Sequence, residues 1–189
     1  YDEEPEKRGM RCLATALVLA EGASIKAKGG AITIEGASDA VIILAARTSF
    51  SGYDHHPYLD GADETTLCER DLDELKGLSY DEAKRDHIRD HQALFGRSSL
   101  SLGEDRYAHL PMDERLRALP DHPYDQSIYA CVFDFARYLM VAASRPSTQP
   151  MNLQGIWSQD LRAIWSCNYT ININLQMSYW PAEGLNLPE

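Results

Sequence analysis

No run of about 18 apolar residues occurs in the chain, so no stretch can cross a bilayer as a helix. Cysteine is scarce. Cys12, Cys68, Cys131 and Cys167 lie far apart and form no CxxC pair, which excludes a zinc framework and makes buried free thiols the expectation, with any disulfide pairing unassigned. Basic residues are outnumbered, 18 Lys and Arg against 29 Asp and Glu for a formal net charge of -11. That balance excludes a partner gripped through its phosphates, because nucleic-acid binding is dominated by Lys and Arg. An acidic surface suits a neutral substrate such as a sugar, without selecting one. The HExxH pattern is also missing. His87 and His91, four apart on one predicted helix beside Asp86 and Asp90, have metal-ligand spacing but no third ligand, and they read as structural or surface histidines. His55 and His56 fall in a polar loop and read as solvated. No metal and no cofactor is implied.

What is present is a globular composition. The 189 residues are 44% hydrophobic and 25% charged, enough for one ordinary domain or for pieces of two. MRCLATALVLAEGAS, at 10–24, imitates a secretory peptide, but YDEEPEKRG precedes it and strand-like sequence follows, so it reads as the start of a β region. Over 11–50 the pattern stays β: RCLATALVLA, then SIKAK and AITIE joined across Gly29-Gly30, then AVIILAARTSF. Two short runs joined by glycines that accept positive φ predict a hairpin pairing 24–28 with 31–35. SGYDHHPYLDGAD, rich in turn residues, predicts a loop. Beyond it the chain turns helical. Ser79 with Glu82 forms a capping box for a helix to about Phe95, with Ala83, His87, Ile88, His91 and Leu94 at helical spacing. A second helix over 125–143 carries Ile128, Val132, Phe135, Leu139 and Ala142 on one stripe and stops at SRPSTQP, where proline forbids continuation. Strands followed by helices without alternation predict a β domain handing over to an α domain, neither complete, in a chain that spans a domain boundary.

Chemistry concentrates near the C-terminus. In NYTININLQMSYWPAE, Thr170, Asn172 and Asn174 alternate with Tyr169, Ile171, Ile173 and Leu175. Residues two apart share a face of extended chain, so the pattern predicts a short extended segment, anchored by its apolar side and presenting two carboxamides about 6 to 7 Å apart. Trp157, Trp165 and Trp180 fall within one window that also holds Gln149, Asn152, Gln154, Asn168 and Gln176. Indole faces pack on the C–H faces of sugar rings, and amides both donate to and accept from hydroxyls without adding charge. Asn168-Tyr169-Thr170 matches a glycosylation sequon, read as coincidental because a glycan there would crowd the site.

SRPSTQPMNLQGIW followed by YTININLQMSYWPAE resembles glycoside hydrolase family 95, the inverting α-L-fucosidases. SYDEAKRDHIRDHQALFGRSSLSLG is similar to that family's linker helix, and AVIILAARTSF to the end of its N-terminal β domain. Leu175 and Ser178 depart from the pattern, where Thr or Asn is expected. The resemblance implies the C-terminal part of an antiparallel β-sandwich over 1–70, a helical linker over 71–120 and the first helices of an (α/α)6 barrel over 121–189. It implies that Asn172 and Asn174 are catalytic, while the aromatic, amide and alternating pattern above makes Thr170, Trp157, Trp165, Trp180 and Gln154 the candidates for binding substrate. Inversion needs an acid at the leaving oxygen and a base that activates water on the opposite face. A carboxamide is too weak a base alone, but its carbonyl can accept from the water while a carboxylate holding its NH2 polarises it. The resemblance puts that Asp, and the general-acid Glu, further along the barrel and outside this chain. Glu183 of WPAE is read as structural, and the isolated chain as inactive.

The substrate expected is an oligosaccharide with a terminal, 2-linked α-L-fucosyl residue, in an extracellular or periplasmic parent with no nucleic-acid or membrane partner. α-Galactosidase or L-galactosidase activity, and a non-catalytic carbohydrate-binding scaffold, stay open as alternatives.

Overall fold

The computed structural model describes residue 4, residues 8–146 and residues 149–188. The chain divides into two compact units, Tyr1–Lys84 and Arg85–Glu189.

In the first unit β1 (Cys12–Leu19) pairs antiparallel with β4 (Val41–Thr48), from Cys12 opposite Thr48 to Leu19 opposite Val41. β2 (Ser24–Lys28) and β3 (Ala31–Glu35) form the expected hairpin, with Gly29 and Gly30 at φ 62° and 78° in its turn. Alternation sends Leu13, Leu17, Ile43 and Ala45 to one face of the β1/β4 pair, where Cys68 and Leu72 of α1 (Glu64–Leu75) cover them. Ile42 and Leu44 point the other way and are exposed.

The start of α1 is tightly specified. Asp63 accepts hydrogen bonds from the backbone N–H of Thr65 at 3.0 Å and of Thr66 at 3.3 Å, which satisfies donors that a helix terminus leaves unpaired. Gly61 lies against Ser49 and Pro57, where a Cβ would stand 2.2 Å from one carbonyl oxygen and 2.4 Å from the other. The chain can turn there only without a side chain. In the loop before it, His56 Nδ1 accepts from the N–H of Tyr58 and Leu59 at 3.2 and 3.3 Å, so this histidine shapes the turn and is not merely solvated. His55 meets Asp60 at 3.2 Å, and that bond lowers the Asp60 pKa.

α2 (Tyr80–Phe95) begins as its capping box requires: Glu82 accepts from the Ser79 N–H at 3.0 Å and hydroxyl at 2.7 Å, and Ser79 Oγ accepts from the Glu82 N–H at 3.3 Å. The second unit continues through α3 (Met112–Ala118), α4 (Ser127–Ala143) and α5 (Asn174–Tyr179), with 3-10 turns at Ile164–Cys167 and Glu183–Leu185. Arg137, 1% exposed, joins α4 to the end of α2: Nη2 donates to the Phe95 carbonyl at 2.5 Å and the guanidinium lies 4.5 Å from the Phe95 ring centre. His91 stacks on Phe95 at 4.9 Å, and His87 lies 6.3 Å from His91.

The stripe expected on α4 is corrected. Ile128 is buried, but Val132 and Phe135 are exposed, and Arg137, Val141 and Ala143 carry the buried positions instead. The helix is apolar around most of its circumference, so spacing alone does not single out a face. Part of the expected stop in SRPSTQP falls on Ser147 and Thr148, outside the described residues. The coarse order, antiparallel strands and then helices, is the one expected.

Candidate functional site

The expected residues fall on two turns and a short helix. The first turn runs through 152–157. Asn152 Oδ1 accepts from the Gln154 N–H at 2.9 Å, the side-chain turn that asparagine favours, and Gly155 N–H donates to the Asn152 carbonyl at 3.1 Å. Gly155 has φ 60°, and a Cβ there would meet Cε3 and Cζ3 of Trp157 at 2.8 Å. The indole thus lies over the glycine backbone.

The second turn, Ile164–Cys167, is tied to the first at both ends. Gln154 Nε2 donates to the Ile164 carbonyl at 2.9 Å, and Leu153 N–H donates to the Asn168 carbonyl at 3.2 Å. Between these ties Trp165, Ser166 and Cys167 all adopt positive φ.

The extended segment expected over NYTININL does not form. Thr170 has φ 43°, residues 171–173 are a turn, and Asn174 is already the first residue of α5. A left-handed residue breaks the alternation on which a shared face depends. The apolar positions do not anchor the segment either, since Ile171 and Ile173 are exposed. What holds it is polar: Thr170 Oγ1 donates to Asn168 Oδ1, Gln176 Nε2 donates to the Ile171 carbonyl at 2.6 Å, and Met177 N–H donates to the Ile173 carbonyl at 2.9 Å. Ser178, one of the two departures from the expected pattern, bonds back to the Asn174 carbonyl at 3.1 Å, a habit of serine in helices.

Asn172 and Asn174 are exposed, and among the described residues nothing bonds to either carboxamide. Trp157, Trp165 and Trp180 are 46%, 72% and 67% exposed, far more than core tryptophans would be. Trp180 sits past the end of α5, and among the described residues its ring stacks on neither of the others. Only Asp160 and Glu183 supply carboxylates within 149–188, and Glu183 opens the last 3-10 turn.

Sequence reasoning missed Tyr179 and the cleft beside it. Tyr179 Oη meets Ser144 Oγ at 2.5 Å and accepts from the Met151 N–H at 2.7 Å, fixing α5 to the end of α4 and to the strand of loop entering the first turn. The cleft, about 690 Å3 with its open mouth, has an apolar floor of Leu94, Met140, Val141 and Leu187, with Asp90 and Arg145 paired at its rim at 2.5 Å. A tyrosine in an apolar stretch reads as packing, and no spacing signal separates it from its neighbours. Among the described residues no group of three or more His, Cys, Asp and Glu is placed to hold a metal.

Residues 79–189 match the glycosyl hydrolase family 95 catalytic domain, more than half of the chain. The chain is 34% identical to alpha-L-fucosidase 2 of Arabidopsis thaliana over 177 residues, 90% of this chain and 21% of that protein. It is 31% identical to probable alpha-fucosidase A of Aspergillus niger over 82% of this chain and 20% of that protein. For the probable alpha-fucosidase A of Aspergillus oryzae the figures are 30% identity, 84% and 23%. The chain therefore spans about a fifth of the length of the curated relatives it matches.

Proposed function

The chain belongs to glycoside hydrolase family 95, and from that premise we propose that it is part of a hydrolase that removes terminal α-1,2-linked L-fucosyl residues from oligosaccharides with inversion. In this reading 1–70 contributes to a β-sandwich, 71–120 is a linker and 121–189 begins an (α/α)6 catalytic barrel. The observation that carries it is the pair of exposed carboxamides, Asn172 and Asn174, left without partners among the described residues at the mouth of a short helix. Carboxamides held in place by their backbone, with donor and acceptor both unspent, can orient a water for attack on the anomeric carbon. Their carbonyl oxygens accept from that water, and a carboxylate elsewhere in the barrel binds an NH2 group and carries the developing charge. Trp157, Trp165, Trp180 and Thr170 would border the sugar, whose neutral hydroxyls and apolar faces match indole and hydroxyl groups. The fucosidase names of the relatives support L-fucose as the sugar.

The test is release of fucose from a 2-linked fucosyl oligosaccharide by the full-length parent, followed by proton NMR. The first-formed fucose should be the β anomer. A retained α anomer, or no release, would count against this reading.

A further inference from the structure

Three consecutive residues other than glycine, Trp165, Ser166 and Cys167, stand at φ 57°, 54° and 49°. L side chains populate that region rarely and keep it only where their surroundings enforce it, a pattern concentrated at functional sites. Here the enforcement is visible on both flanks: the Gln154 amide holds the Ile164 carbonyl at 2.9 Å, and the Leu153 N–H holds the Asn168 carbonyl at 3.2 Å. Both donors come from the turn that Asn152 closes. Since a carbonyl only accepts, the nitrogen of the Gln154 amide must face Ile164, which fixes the orientation of the group. Its Oε1 is then buried, with no hydrogen-bond partner. The Gln154 amide is thus turned inward and committed to the turn, while the Trp165 indole, carried on the turn, is 72% exposed.

We propose that Gln154 is a positioning residue that does not itself touch the sugar: through the Ile164 carbonyl it holds the left-handed turn so that the Trp165 ring stands as a flat apolar surface for the pyranose ring of the substrate. This rests on the glycoside hydrolase reading above and deepens it. A ring held in advance binds without the entropy cost of being ordered by substrate, so losing the tether should weaken binding and leave the chemical step alone.

The experiment is a double-mutant cycle in the full-length parent with Gln154→Met, Trp165→Ala and the two combined, reading KM and kcat on the fucosyl oligosaccharide. Gln154→Met should raise KM about three- to tenfold, the range of one hydrogen bond, and Trp165→Ala about tenfold or more, with kcat within about twofold in both. The combined variant should be no worse than Trp165→Ala alone, because Gln154 then has no ring to position. Additive losses would mean that Gln154 binds the sugar on its own account, and an unchanged KM in either single variant would also overturn the proposal. In protein labelled with fluorotryptophan, the Trp165 resonance, assigned by its loss in Trp165→Phe, should move in Gln154→Met while that of Trp180 stays. A fixed Trp165 resonance overturns the proposal. If Gln154→Met fails to fold, Gln154→Glu goes through the same cycle, and failure of both makes the residue a general structural one and overturns it. If the unsubstituted parent releases no fucose, the hydrolase reading has failed, while the fluorine shift still decides whether Gln154 holds Trp165.

Discussion

Arg115 grips Asp125 through two parallel bonds, Nη2 to Oδ1 at 2.8 Å and Nε to Oδ2 at 3.1 Å, with both side chains only 4% exposed. Ser127 Oγ accepts from the same guanidinium at 2.7 Å and stands 2.7 Å from carboxylate oxygens of both Asp105 and Asp125. Its single proton can serve one of them at a time. The cluster locks α3 to the start of α4 with fork geometry that lysine could not reproduce. Asp125→Asn should therefore lower the Tm by roughly 5 °C or more in a calorimetric scan, because it leaves the buried guanidinium with only Asp105, 3.2 Å away and 40% exposed, as counter-charge.

The same pair predicts an acid limb. The Arg115 hydrogen bond, with help from the Ser127 hydroxyl, holds the Asp125 carboxyl below its ordinary value. A carboxyl whose pKa is lower folded than unfolded stabilises the fold above the unfolded value, about 3.9, and that contribution disappears as pH falls through the folded one. Urea midpoints should be level between roughly pH 7 and 5 and drop below about pH 4. Asp125→Asn should show a shallower drop, since Glu64 and Asp71, also lowered by arginine partners, still contribute theirs.

In the first unit, Leu72 and Cys68 close the face of the β1/β4 pair. Leu72→Ala should cost about 2 to 4 kcal/mol by leaving a cavity. Cys68→Ser should cost less, near 1 kcal/mol, because the Leu13 carbonyl that the thiol approaches at 3.6 Å can receive the new hydroxyl. Amide hydrogen exchange along β1 and β4 should accelerate in Leu72→Ala. The β2–β3 hairpin, exposed along nearly its whole length, should exchange fast with or without the substitution.

Local chemistry made parts of this architecture readable in advance. Ser79 and Glu82 mark a helix start by a reciprocal bond that needs nothing from the rest of the molecule, and Gly29-Gly30 marks a hairpin for the same reason. The α1 segment ETTLCERDLDEL was harder to see, because its charged residues outnumber the few apolar ones that face the sheet. At α4 the reverse held: too many positions are apolar for spacing to choose a face, and the most buried side chain is Arg137, whose charge is met by a carbonyl, a carboxylate and an aromatic ring. In the site, the composition of 149–183 pointed to carbohydrate chemistry, but alternation misled at Thr170. Its positive φ depends on bonds to Asn168 and on the turn closing behind it, and period-two spacing contains no trace of either.

Gly155 offers a sharper test of the first turn. At φ 60° any side chain is strained, and a methyl group would meet the Trp157 ring at 2.8 Å. Trp157 is half exposed and can swing away, so Gly155→Ala should cost only about 1 kcal/mol of stability, most of it from the backbone. The displaced ring should appear as a red-shifted tryptophan emission. In the parent enzyme KM should rise with little change in kcat, whereas Gly184→Ala, with open space around its Cβ position, should leave both unchanged.

The two free carboxamides bear on the chemical step. If Asn172 and Asn174 orient and polarise the attacking water, their bonds strengthen as charge develops, so the loss falls on the transition state and not on substrate binding. Asn172→Ala and Asn174→Ala in the full-length parent should each lower kcat by about 10² to 10⁴ while KM changes only slightly, the range lost with a positioned base. Because both side chains are exposed and bond to nothing among the described residues, neither substitution should move the Tm of the 189-residue chain itself. Glu183→Gln makes the contrast. Glu183 opens the 3-10 turn after α5 and is read as structural, so this variant should lose activity only in step with lost folded protein. A kcat loss in Glu183→Gln matching that of the asparagine variants, at unchanged Tm, would move the proton donor into this segment. Unchanged kcat in both asparagine variants would leave the two carboxamides as surface groups.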